Sequence, residues 1–190
     1  MAGAGWRGAR GRRGAVSRAV SVVQLNRGRS RRPPAFWAGL AAGAAGTTAL
    51  NAITYLDMAA RRRPESSTPE ESVRRLANAV GAKELANSDA EPAANRRTGL
   101  GALLGILTGV GTGAGYAVLR CITGREQPPG LLEGAALAGL AMVASNAPLT
   151  VMGVTDPRTW SATDWVADVV PHLGYGLAAA GTLNLIERRR

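Results

Sequence analysis

The chain has 190 residues, is 46% hydrophobic, and sets 23 basic side chains against 13 acidic ones for a net charge of +10. Its single cysteine excludes an intramolecular disulfide, and its length bounds it to about one domain. The basic excess would suit nucleic acid, but the arginines flank apolar blocks instead of lining one face, so orientation in a membrane explains them better and nucleic acid is not expected.

Residues 1–34 are rich in Gly and Arg and hold no acid, so they lack the apolar content for a core and are expected to be disordered. Val16, Ala19, Val20 and Val23 do fall at helical spacing, which leaves room for a short in-plane helix on anionic lipid. The first apolar block, 35–58, is expected to be a transmembrane helix. Phe36 and Trp37 open it and Tyr55 lies near its end, where aromatic belts belong. It is also too long for a signal-peptide core. Gly39 and Gly43 offer a seam for close helix packing.

Residues 59–97 form a long loop. Within it, Thr68-Pro69-Glu70-Glu71 reads as a helix start, and Val73, Leu76, Ala77 and Val80 give one apolar stripe. An amphipathic helix over 69–80, stopped by Gly81 and lying on the membrane surface, is the expectation.

The second block, 98–119 (TGLGALLGILTGVGTGAGYAVL), contains no charge and suffices for about 33 Å of helix, enough to cross a bilayer. Gly101, Gly105, Gly109 and Gly113 recur every fourth residue as a small-xxx-small ladder, a glycine zipper for a second helix. A dinucleotide loop on Gly109, Gly111 and Ala114 would need a preceding strand and a later acidic residue, and neither pattern is present. A turn over 120–129 holds Cys121, an incidental boundary thiol. The third block, 131–154, carries Glu133 in its first turn, favoured there by the helix dipole. Ser145, Asn146 and Pro148 interrupt its apolar character. Ser161 with Asp164 reads as a capping box opening a fourth helix over 164–186, before the terminal arginines.

The fold expected is all-α: a four-transmembrane-helix bundle with one amphipathic loop helix and a basic tail. Four spans put both termini on one side, and arginine counting favours the cytoplasm for them. The lipid bilayer is the expected partner, with a homo-oligomer or another membrane protein received on the glycine faces.

Ionisable groups inside spans are costly and point to function by default. Asp164, Asp168 and His172 recur at i, i+4, i+8 on one helix face, with Tyr175 beyond. Alternating helix directions bring Asn51 and Asn146 to the same half of the bilayer, and Arg96 and Arg97 are placed to pair with the aspartates. This cluster is the candidate polar site. It could relay protons or hold a small solute, or it could be interhelical glue. One helix supplies too few ligands for zinc, so no metal and no cofactor is expected. Hydrolase, zincin and P-loop motifs are absent, and no catalytic residue is assigned.

The segments TYLDMAARRRPESSTPEESVRRLA and DWVADVVPHLGYGLAAAG resemble those of small multipass membrane proteins of actinobacteria that have no assigned activity, a likeness over about residues 35–187. The dominance of Ala, Gly and Arg likewise suggests a GC-rich bacterial genome. The resemblance implies the inner membrane and brings no functional residues. The expected function is that of a structural or accessory bundle, the alternative a proton-coupled or small-solute transporter centred on Asp168 and His172.

Overall fold

Six α-helices and one 3-10 turn make up the described residues of the computed structural model, which are Met1, 34–124 and 130–188. The tail's expected disorder or in-plane helix, and most of the 120–129 turn, lie outside them. No strand occurs among the described residues. The helices are α1 (Ala35–Arg61), α2 (Thr68–Ala79), α3 (Lys83–Asn87), α4 (Glu91–Thr123), α5 (Gly130–Val151) and α6 (Ala162–Arg188), with the 3-10 turn Pro157–Thr159 before α6.

Local chemistry explains most boundaries. Pro69 sits in the first turn of α2, where its missing N–H costs nothing, and Gly81 follows the helix with φ +76°, a left-handed conformation suited to glycine. Gly124 ends α4 in the same way at φ +59°. The expected capping box of the last helix is present. Ser161 N–H donates to Asp164 Oδ2 at 2.9 Å, and Asp164 N–H donates to Ser161 Oγ at 3.2 Å. The second long helix differs from expectation at its start: it begins at Glu91, so Arg96 and Arg97 lie on the helix and not before it. The short α3 was not expected.

Three helices, α4, α5 and α6, are long and apolar enough to cross a membrane. Helix α1 matches α6 in length at 27 residues but is not one of the three, its apolar run being interrupted by Thr47, Thr48 and Asn51. It lies antiparallel between α4 and α6. A Cβ added at Gly39 would fall 2.6 Å from the Ala114 Cα, and one at Gly43 2.6 Å from Val110 O. From the other side Gly46 receives the Tyr175 ring, where an added Cβ would come within 2.6 Å of Cδ2. Only glycine permits such backbone approach. Helix α5 packs antiparallel on the far side of α6, with Gly134 and Ala138 against Gly176. Buried Ala38, Ala42, Leu137, Ala179, Ala180 and Leu183 close the core.

The glycine ladder of α4 does not act as one seam. Gly109 and Gly113 face α1, whereas Gly101 faces the Pro69 backbone of α2, 2.7 Å from an added Cβ. An added Cβ at Gly105 meets nothing within 4 Å. Within the described residues it therefore packs against no neighbouring helix. Every fourth residue advances about 40° beyond a full turn, so the ladder winds from one neighbour to the next across an open interval at Gly105.

Helix α2 divides the residues of its expected apolar stripe. Val73 and Ala77 are buried within the protein, while Leu76 and Val80 are exposed. Its anchor is Arg97, only 2% exposed. The guanidinium donates to Glu70 Oε1 at 3.0 Å, Leu85 O at 3.0 Å and Ser88 O at 2.8 Å. One side chain thus ties α2, α3 and the loop after it to α4.

Candidate functional site

The polar residues carried by the long helices gather into two clusters, one near each end of the bundle. The first holds half of the sequence-predicted site, Asn146, Asp168 and His172. His172 projects from α6 toward α5 and is 8% exposed. Its Nδ1 lies 2.7 Å from the main-chain O of Asp168 and 3.6 Å from Asp168 Oδ1. Its Nε2 lies 3.2 Å from Ser145 Oγ of α5. One turn earlier on α6, Asp168 Oδ2 accepts from Asn146 Nδ2 at 2.9 Å. Sequence spacing brings these groups together because α5 and α6 run antiparallel: 145 meets 172, and 146 meets 168.

Other expected members go elsewhere. Asp164 serves the capping box, its Oδ2 also accepting from Ser161 Oγ at 2.7 Å. Tyr175 is buried and reaches across to α4, donating to Gly109 O at 2.6 Å. Among the described residues Asn51 makes no side-chain hydrogen bond to the cluster. The expected pairing of Arg97 with the aspartates is replaced by its anchoring of α2 and α3.

The second cluster was not singled out from sequence. Glu133, fully buried in the first turn of α5, receives Arg120 Nη1 of α4 at 2.5 Å. The same guanidinium pairs through Nη2 with Glu187 of α6. Asn184 Nδ2 donates to Glu133 Oε2 at 3.2 Å, and Tyr116 OH donates to Oε1 at 3.3 Å. Three helices therefore meet on one carboxylate. Glu133 reads as a dipole-favoured first-turn acid only while its neighbours are unknown. The available signal was positional: Arg120, Glu133 and Glu187 all lie at the same end of an up-down bundle.

Chemically the clusters differ. Around Glu133 the described contacts, from Arg120, Tyr116 and Asn184, are charge-assisted and internal, an arrangement that fixes helices. Around His172 a hydroxyl, an imidazole and a carboxylate follow one another in hydrogen-bonding order. No group of three or more His, Cys, Asp or Glu side chains among the described residues is placed to hold a metal ion.

Comparison of the chain with protein-family models, curated proteins and solved structures finds no match to any of them.

Proposed function

We propose that the protein is an integral membrane scaffold of four crossing helices, held by internal polar clasps and resident in the cell membrane with both termini cytoplasmic. The observation that carries this reading is Glu133. A carboxylate with no solvent exposure, tied at once to α4 and α6, makes sense as a fastener where apolar helix surfaces have no reason to prefer each other over lipid.

Helix α1 belongs to the crossing set by its position. It runs along two apolar helices from Gly39 to Ile53, and its buried side is Ala, Gly and Thr. A helix shielded by protein on two sides tolerates the polarity that lowers its hydropathy. Charge supports the orientation. With four crossings, fourteen arginines and three acidic residues fall at the end that carries the termini, against nine basic and ten acidic residues at the other. The side richer in arginine is cytoplasmic.

A scaffold acts through what it packs against. On α4, Gly111 and Gly115 are exposed and an added Cβ would meet nothing, so a neighbouring helix, from a second copy or another membrane protein, is received there.

The test pairs flux with stability. In proteoliposomes the protein is expected to leave proton and ion leakage at the level of empty vesicles, while Arg120→Ala and Glu133→Ala lower its thermal stability in mild detergent. Flux well above leakage that is lost in Asp168→Asn and His172→Ala would instead establish the transporter alternative.

A further inference from the structure

We infer that Ser145 is a nucleophile activated by His172 and Asp168, and that the seam between α5 and α6 carries acyl-transfer chemistry on lipid-soluble carboxylic esters. This goes beyond the scaffold reading and rests on none of its tests.

Nδ1 of His172 faces a main-chain carbonyl oxygen at 2.7 Å and a carboxylate oxygen at 3.6 Å. Both only accept, so Nδ1 must carry a proton. In the neutral imidazole Nε2 then presents a lone pair, and the group 3.2 Å from it is the Ser145 hydroxyl.

That hydroxyl has one proton and three acceptors in reach: Nε2, Ala141 O at 3.0 Å and Met142 O at 3.1 Å. Serine in a helix commonly donates back to the carbonyl four residues earlier. Were it to do so here, Oγ and a bare Nε2 would confront each other with lone pairs. When the ring is neutral, the hydroxyl is therefore the donor and Nε2 the acceptor of this hydrogen bond. A hydroxyl bonded to a base, with that base oriented by a third group, is the arrangement that activates a serine.

Each step balances. Ser145 Oγ bonds to the ester carbonyl carbon as its proton passes to Nε2. Collapse of the tetrahedral adduct breaks the carbon–oxygen bond to the alcohol, which leaves with that proton. Water, deprotonated by the same Nε2, then releases the acid and restores Ser145. Asn146 stands next to the nucleophile with a side-chain amide, one N–H of which Asp168 holds at 2.9 Å. The substrate class follows from the surroundings. Val143, Val170 and Leu173 are exposed beside this seam, so on the membrane-spanning reading an ester arrives from the hydrocarbon side.

The experiment treats the full-length protein in proteoliposomes with a long-chain alkyl fluorophosphonate, which a nucleophilic serine displaces at phosphorus with loss of fluoride, and maps the labelled peptide. Ser145 is expected to be labelled far faster than Ser161, and His172→Gln to slow that labelling by about a hundredfold or more, the range of a lost general base. Labelling of Ser145 no faster than Ser161 would overturn the inference. So would labelling that His172→Gln leaves unchanged. Should His172→Gln fail to fold, heat-denatured wild-type protein serves in its place: loss of Ser145 labelling supports the inference, and persistence overturns it.

Discussion

At the scale of single residues, close approach and buried charge decide which side chains matter. Gly109 sits against Thr47, and an added Cβ at Gly113 would lie 2.5 Å from the Gly43 backbone, whereas Gly105 is open. Leucine at 109 or 113 is expected to disrupt the bundle, and leucine at 105 to leave it intact, as melting in detergent would show. The glycine spacing was legible in the sequence. Which glycines pack was not, because a four-residue repeat drifts around a 3.6-residue helix and its facing depends on where neighbours lie. Buried charge gives a second expectation. Arg120→Ala strands Glu133 and Glu187 without their cation, and the loss of a buried partner costs about 3–5 kcal/mol. Asp168→Asn should cost far less, about 0.6 kcal/mol for an interhelical hydrogen bond in lipid. Equal losses in unfolding free energy would contradict the distinction. The Asp168–His172–Asn146 grouping could be read from spacing, since antiparallel neighbours bring equal depths together. Ser145 could not, because a serine within an apolar helix is ordinarily satisfied by its own backbone.

At the scale of elements, local signals are faithful where a boundary is made by local chemistry. The Ser161–Asp164 capping box, Pro69 and Gly81 all mark real ends. Long-range choices were hidden. Arg97 looked like a boundary charge free to meet the aspartates, yet its three acceptors come from residues 70, 85 and 88, a set that exists only after α2 and α3 have folded back onto α4. Removing it should therefore free the loop without melting the bundle. Arg97→Ala is expected to make α2 susceptible to trypsin at Arg74 and Arg75 while the long helices keep their melting temperature. Resistance equal to the wild type would show that Val73, Ala77 and the Gly101–Pro69 contact suffice to hold α2.

For the molecule as a whole, composition and block structure predicted an all-helical chain with apolar helices of membrane-crossing length, and the fold agrees for α4, α5 and α6. Whether four helices cross turns on α1, since Thr47, Thr48 and Asn51 interrupt its apolar run and its place between α4 and α6 is what supports its crossing with them. The most direct test is side-specific labelling by a membrane-impermeant maleimide. Single cysteines would be introduced as Ser30→Cys, Ser66→Cys and Arg188→Cys in a Cys121→Ser background. Four crossings predict that positions 30 and 188 react from one side and position 66 from the other. Reaction of positions 30 and 66 from the same side would rule out four crossings, because α1 would then not cross.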